Sequence, residues 1–445
     1  MKIFLRLAFL PVMTSININS YAAGFMEDAK VEVMNRNFYF NRDFRNGGSN
    51  PSGANSRLAV EERTGYRSEW AQGLILNFNS GFTVTPIQFG IDAYAMGGVK
   101  LYSNEYKTGT NLIPFDPLTG KTDDVFGEVG GAIKLKYKDI IIKYGDQFPN
   151  IPVLAVSTVR LLPSTVTGIS LNDKSFEGLD LNLGYFYRMS PVDSEKFYNY
   201  FTTDYANGIT SRSTTYVGGS LKKNHTAYTA YASQLEDVWN QYYLGLNTTY
   251  DLVKEGHQIK LNTANYYNKD TGEKKGGDIN TLALSALFGY KIHNHTFSLG
   301  YQQIIGDEPF DWIGFTTMGA NVSLLNAAQF ATFSEANEKS IQAKYEIDFS
   351  KYGVEGLGLM ARYLYGWDMD NSKSTNPLYS ARYIYDQARD NKHWERDITL
   401  SYKVLTGFAK GLDIKLRQAT HRATKGYRYG DIDEIRVIFE YPLSF

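Results

Sequence analysis

The chain ends Ile435-Arg-Val-Ile-Phe-Glu-Tyr-Pro-Leu-Ser-Phe445, and every odd position of this stretch is apolar: Ile435, Val437, Phe439, Tyr441, Leu443 and Phe445. Arg436, Glu440 and Ser444 stand among the even positions. Side chains alternate between faces along a strand, so one face is greasy and the other largely polar. A soluble sheet would cover such a strand and follow it with a turn; here the chain stops on an aromatic ring. The pattern suits the last strand of a barrel in lipid, with apolar residues toward acyl chains and charges toward a wet lumen.

Composition agrees. A length of 445 residues would suit about three soluble domains, yet no composition shift or linker divides the chain. Tyr (34) and Phe (26) are abundant, and Tyr favours strands and membrane interfaces. There is no cysteine, which excludes disulfides and thiolate metal sites. A net charge of −1 argues against nucleic-acid binding. A mean hydropathy of −0.35 is compatible with a barrel, which shows lipid only alternate residues. No apolar run approaches the roughly 20 residues of a spanning helix. Lys2 and Arg6, the apolar Leu7–Met13 and then Ser20-Tyr21-Ala22-Ala23 read as a cleaved signal peptide over residues 1–23. Residues 24–445 then form one transmembrane domain.

Alternating segments recur from end to end, among them Leu179–Tyr187, Tyr242–Tyr250, Leu282–Tyr290 and Ile341–Phe349. A tilted spanning strand needs about 9–11 residues. The pattern predicts an all-β antiparallel barrel of eighteen strands, at 28–40, 58–78, 81–95, 125–137, 140–147, 163–172, 176–189, 213–222, 225–235, 240–251, 256–267, 279–290, 294–304, 337–349, 355–366, 393–404, 411–422 and 431–445. Short turns such as 79–80, 138–139, 223–224 and 291–294 alternate with long loops, the arrangement of periplasmic turns and extracellular loops. An even count puts both termini on the periplasmic side, and eighteen strands enclose a channel.

At this point the chain resembles the OprD-type outer-membrane porins. The resemblance rests on Glu27-Asp28, Arg36-Asn37 to Arg42-Asp43, Glu69-Trp70-Ala71-Gln72-Gly73, Gly127-Glu128 to Lys134, Tyr144 to Gln147 with Pro149, Pro152, Arg160 and Pro163, Phe176 to Gly178, Gly300 to Phe310, Arg417 to Arg422 and Asp433 to Arg436, in order over residues 24–445. The family implies a monomeric or loosely trimeric Gram-negative channel for small carboxylate-bearing solutes, without a cofactor. It implies an eyelet made by the inward-folded third and seventh loops, and a row of basic side chains along the wall. The ending also resembles the closing strand of outer-membrane proteins, whose last aromatic, here Phe445, is read by the barrel-assembly machinery. Outer-membrane lipids are the remaining partner.

Parity assigns a lumen-facing set without the family. Leu412, Ile414 and Leu416 face lipid, so Lys415 and Arg417 face the lumen, as does Arg436; by the same rule Lys134, Lys136, Lys143, Lys344, Arg362 and Lys403 point inward. A charge on the lipid face at mid-membrane costs about 2–4 kcal/mol, which enforces the choice. One reading is a basic ladder that guides anions, each cation attracting a carboxylate at about 4 Å by roughly 4 kcal/mol when the effective dielectric is near 20. The other is that these cations pair with Glu128, Asp180, Glu346, Asp413, Glu434 and Glu440, leaving no net field. The resemblance favours the ladder at Lys415, Arg417 and Arg436.

Loop 148–162 is short and mostly apolar, odd in a wet lumen unless it packs on the wall. It is expected to fold inward and present Arg160, with Ser157 and Thr158, at the constriction. The family often carries Asp two residues before this Arg, where Thr158 stands here. Loop 305–336 begins with Asp307, Glu308 and Asp311, expected to oppose Arg160, with Asp307 foremost. A site of both signs would suit a substrate with an amine and a carboxylate. Among rival functions, a barrel enzyme would need a Ser–His–acid cluster at the lipid boundary, and no His sits mid-strand on that face. A plugged barrel would need a separate globular segment. A general, non-selective porin is the alternative within the channel class. Which carboxylate passes, whether basic amino acid, aromatic acid, sugar acid or dicarboxylate, stays open at this stage.

Overall fold

Alternation of this kind buries nothing within one strand; it is satisfied only when strands pair edge to edge and the sheet closes, since lipid offers no partner for a free edge. In the computed structural model this happens with eighteen strands. Described residues are 24–206, 208–316, 321–374, 376–380, 391–425 and 430–445; the expected signal peptide lies outside them. The strands are β1 (Lys30–Phe44), β2 (Tyr66–Asn79), β3 (Gln88–Tyr102), β4 (Val125–Tyr137), β5 (Ile140–Gln147), β6 (Thr165–Asp173), β7 (Leu179–Ser190), β8 (Thr214–Lys223), β9 (Thr226–Leu235), β10 (Trp239–Asp251), β11 (His257–Asp270), β12 (Asn280–Ile292), β13 (His295–Ile305), β14 (Lys339–Asp348), β15 (Leu357–Trp367), β16 (Lys392–Lys403), β17 (Asp413–Ala423) and β18 (Ile432–Ser444). Each pairs antiparallel with its sequence neighbours, and β18 pairs with β1 from Glu32↔Ser444 to Phe44↔Ile432. Phe445 extends the seam through its backbone: its N–H donates to Val31 O at 2.9 Å and its carbonyl accepts from Val31 N at 3.1 Å.

The short turns and both termini share one end. Lys138, Asn224 and His293, each first in a two-residue turn, have φ of 52°, 53° and 53°. Two expected strands move. The third starts at Gln88 rather than 81, because Pro86 has no N–H for a ladder and Gly81 turns back to donate to Phe25 O at 2.9 Å. The turn before it therefore spans 80–87. The second starts at Tyr66 rather than 58, since Gly53–Arg57 and Val60–Glu62 coil into 3₁₀ turns of the first outer loop.

The two faces separate cleanly along most strands. Leu74, Val129, Leu299, Leu416 and Ile435 are exposed on the outside. The opposite parity is covered from within by loops. One interior cluster joins Phe38, Phe40, Leu112, Ile113, Leu161 and Leu162; a larger one gathers Tyr205, Tyr266, Phe310, Trp312 and Phe315. The core of this protein is thus inside the barrel, where long loops meet the wall.

Candidate functional site

Loop 148–164 starts with a minimal hairpin, Asn150–Ile151 against Leu154–Ala155, turned by Pro152-Val153. Ser157 and Ser164 then clasp its base: Ser157 N donates to Ser164 Oγ at 2.8 Å and Ser164 N to Ser157 O at 2.9 Å. Leu161 and Leu162 are buried against the wall. They can approach because Gly73 on β2 has no side chain; a Cβ there would lie 3.0 Å from Leu161 Cγ. Arg36 on β1 grips the loop's backbone, its Nη1 donating to Arg160 O at 2.6 Å and Leu161 O at 3.1 Å.

Arg160 is carried into the barrel by this fold and is 5% exposed. Its Nε donates to Thr110 O at 2.8 Å, and its guanidinium lies 5.3 Å from the Phe40 ring centre. Arg436 and Arg42 approach the same ring at 4.7 and 5.4 Å. Burial, and then the two like charges, lower the proton affinity of Arg160, with Glu434 acting against them. A ring face attracts each cation but does not neutralise it; the acid that does so here is Glu434, 2.7 Å from Arg42 and 2.6 Å from Arg436.

Loop 306–338 closes the site from the other side. Gln329 N donates to Asp397 at 3.0 Å, and Phe330 N and Ala331 N donate to the Glu395 carboxylate, each at 2.8 Å. Gln329 Nε2 reaches Glu434 at 3.1 Å, and Arg42 lies 4.5 Å from the Phe330 ring centre. The two loops also touch each other: Asn321 N donates to Ala155 O at 2.8 Å, and its amide to Val156 O at 3.0 Å and Thr158 Oγ1 at 3.3 Å.

The acids expected opposite Arg160 are elsewhere. Asp311 is fully enclosed and accepts from the backbone N–H groups of Asp204, Tyr205, Ala206 and Trp312 at 2.8–3.2 Å and from the Tyr379 hydroxyl at 3.0 Å. Burial pushes its carboxyl up to about 6 despite those donors. Glu308 accepts from Ser374 Oγ at 2.7 Å beneath the outer loops, and burial pushes it up to about 7. Asp307 is exposed just past the end of β13. The carboxylate beside Arg160 is Glu434, on the wall.

The wall itself is a belt of paired charges. Glu440 bridges Arg36 at 2.7 Å and Lys415 at 2.9 Å; Asp397 holds Arg362 at 2.7 Å; Lys344 meets Glu346 at 2.9 Å. Lys134 and Lys143 share Asp92, each at 2.6 Å, and Lys136 lies 5.3 Å from the Phe82 ring centre. Lys403 is at the short-turn end, in register with Asp413. Arg417 differs. It stands in register with Arg436, and its charged neighbours are Arg362, Arg436, Asp397 and Glu434. Yet among the described residues it makes no hydrogen bond and no ion pair, alone of the six guanidinium groups of the belt: Arg36, Arg42, Arg160, Arg362, Arg417 and Arg436. On the short-turn side a vestibule of about 1040 Å³ opens, lined in part by Lys260, Lys344, Thr399 and Ser401.

Three features escaped sequence reasoning. Arg36 and Arg42 belong to the belt, and parity on β1 would have found them had its outward row not been filled with Asn35, Asn37 and Asn41. Glu395 and Asp397 serve as anchors for a loop nearly seventy residues away along the chain. His393 and His421 meet across β16 and β17 at 2.9 Å, with Glu338 2.6 Å from His393 Nε2.

A family model described as outer membrane porin, OprD family, matches residues 23–445. Porin D of Pseudomonas aeruginosa is 37% identical over 431 residues, 95% of this chain and 92% of that protein. Among solved structures, OccK9 (OpdG) of Pseudomonas aeruginosa aligns with a TM-score of 0.83 at 29% identity, covering 95% of this chain and 100% of that one. OpdK of the same species, solved with vanillate, aligns with a TM-score of 0.80 at 31% identity and the same coverage.

Proposed function

The chain belongs to the OprD family of outer-membrane porins, and we propose that it is a substrate-selective diffusion channel for small solutes bearing a carboxylate. The observation that carries this reading is Arg417. In the belt the other guanidiniums are satisfied by protein acceptors, so they shape the field without being free to grip a passing anion. Arg417 keeps its five donors available, and a planar guanidinium offers a carboxylate two parallel hydrogen bonds. Six guanidiniums and Lys415 face five acids, Glu395, Asp397, Asp413, Glu434 and Glu440, so the belt favours anions while each contact remains weak enough to release them. That OpdK was solved with vanillate, a carboxylate, supports the same class here.

The narrow part of the pore lies, on this reading, between Thr158 and Arg160 on one loop and Asn321, Gln329 and Phe330 on the other; Ser157, expected with them, is fully buried at the base of its loop. Two loops packed into the lumen disfavour a wide, non-selective porin. Glu308 and Asp311 are committed to loop structure, so a substrate amine has no partner there. Phe445 is 75% exposed while its backbone closes the seam, which suits recognition by the assembly machinery before closure.

Arg417→Ala should cut flux of benzoate into liposomes about tenfold, close to 1.4 kcal/mol, and leave benzamide, its neutral isostere, within twofold. Arg417→Lys should restore part of the benzoate flux. Equal loss of both solutes, or no loss of either, would remove Arg417 from the path.

A further inference from the structure

The outer face of the barrel holds a charge that its surroundings do not answer. Along β16 the outward row is Trp394, Arg396, Ile398, Leu400 and Tyr402, and Arg396 is exposed. Its hydrogen bonds are long and go to neutral groups: Gln418 Oε1 at 3.4 Å and Thr420 Oγ1 at 3.3 Å on β17. The acid that shares this face, Asp433, is occupied by Arg422 at 3.0 Å and Arg45 at 2.7 Å. Among the described residues no carboxylate pairs with Arg396.

Its height follows from strand geometry. A strand rises about 3.3 Å per residue and tilts by about 40°, so it climbs ~2.5 Å per residue across the bilayer. Arg396 therefore sits ~15 Å above Tyr402, near the short-turn end, and ~5 Å below Trp394. Trp394 stacks on Tyr363 at 5.6 Å between ring centres, and Tyr365 on Trp367 at 5.9 Å. Aromatic rings of this kind mark the interface, and Tyr363 is the register partner of Arg396, so Arg396 lies in the leaflet on the long-loop side, level with the lower rings of its girdle.

Beside Arg396, across the neighbouring strands, the outer wall is concave. A groove of about 640 Å³ with an almost wholly apolar lining runs between Leu299 and Ile398, because the small Ala343 of β14 and Ala361 of β15 leave the wall low between the tyrosines. Arg396 and Tyr363 rim one end, and Tyr290 and Tyr345 belong to the other.

We propose that this is a binding site for one phosphorylated glycolipid of the outer leaflet, its phosphate on Arg396 and one acyl chain in the Ala343–Ala361 groove. A phosphate satisfies what the protein leaves unmet, since its oxygens fit the guanidinium fork. The Gln418 amide stands beside it, with one N–H on Thr420 Oγ1 at 2.7 Å and the other as a further donor. The groove alone would take any acyl chain, and an arginine alone would snorkel to the interface. A fixed cation at one end of an apolar trough asks for an anionic head with a chain laid along the trough. The site is on the opposite face from the charge belt and does not depend on which solute the pore passes.

The test is native mass spectrometry of the full-length protein, delipidated in detergent and titrated with bisphosphorylated lipid A or with phosphatidylethanolamine. Wild type should hold one lipid A through detergent removal at about tenfold lower concentration than Arg396→Gln, with Arg396→Lys between them. A paired Ala343→Leu/Ala361→Leu variant, which fills the groove, should lose the same increment, and benzoate conductance of all variants should match wild type. Equal retention of lipid A by wild type and Arg396→Gln overturns the proposal. So does equal retention of phosphatidylethanolamine and lipid A by wild type. A shift of Arg396→Gln from oligomer to monomer with lipid retention unchanged also overturns it, and would assign the face to contact between copies.

Discussion

Loop 148–164 and loop 306–338 both fold into the lumen, the first on leucines that fit against a glycine, the second on carboxylates that collect its backbone amides. The first is seventeen residues long and needs little beyond Leu161, Leu162 and the grip of Arg36. The second is thirty-three residues long, and its described residues are mostly irregular chain. Buried N–H groups without a ladder must find acceptors elsewhere. Asp311 takes the amide of Trp312 and reaches across to three more, Asp204, Tyr205 and Ala206, of the loop between β7 and β8, while Glu395 and Asp397 answer three of the loop's own from the wall. An acid inside a pore is therefore not thereby a substrate ligand; whether its oxygens already hold donors decides.

The comparison is most directly broken at Asp311. Asp311→Ala strands four amides and the Tyr379 hydroxyl, a loss on the order of 3–5 kcal/mol. The expected outcome is a wider, noisier single-channel conductance and new protease cleavage between 306 and 338. Unchanged conductance would mean that the loop is held by its apolar cluster alone. Leu161→Ala should cost about 2–4 kcal/mol through the cavity it leaves. It should loosen only the 148–164 loop, seen as faster hydrogen exchange there with exchange in 306–338 unaffected.

The third prediction concerns protons. His421 Nδ1 faces Gly430 O at 3.1 Å and so carries hydrogen; its Nε2 then accepts from His393 Nδ1. That leaves His393 Nε2 as an acceptor for a proton on Glu338. Burial pushes the Glu338 carboxyl up to about 8, in agreement with a carboxyl that holds its proton at neutral pH. Because the folded state binds this proton more tightly than the unfolded chain, the contribution is complete below the unfolded pKa, falls as pH rises, and is gone above about 8. Exchange in loop 306–338 should accelerate between pH 6 and pH 9 by the equivalent of ~2 kcal/mol, and Glu338→Gln should flatten that dependence. A pH-independent loop, or an opposite sign, would refute the proton assignment. The smallest effect is expected at the junction. Asn321→Ala removes the amide bonds to Val156 and Thr158 and should cost about 1 kcal/mol. A double-mutant cycle with Leu161→Ala should show whether the loops open together or independently.

What the sequence determined by itself is the barrel. Eighteen alternating segments, short turns at one end and an aromatic terminus leave few other ways to hide apolar faces, since strand parity is a local property and lipid punishes a slip by one residue. The same parity sends Lys415, Arg417 and Arg436 inward, where the structure has them. The third strand starts seven residues later than expected because Phe82 and Val84 alternate as a strand would up to Pro86, whose missing N–H matters only once a partner strand is present. Parity also could not rank the cations. Arg417 and Arg436 are both inward arginines; Glu434 stands two residues from Arg436 on the same face, but only the tertiary structure adds Gln329 O to Arg436 and leaves the Arg417 side chain without an acceptor among the described residues. The acids of loop 306–338 mislead for the same reason. Their role depends on which amides a long, irregular loop brings to them, and that is set by contacts far apart in the chain, on which local pattern carries no information.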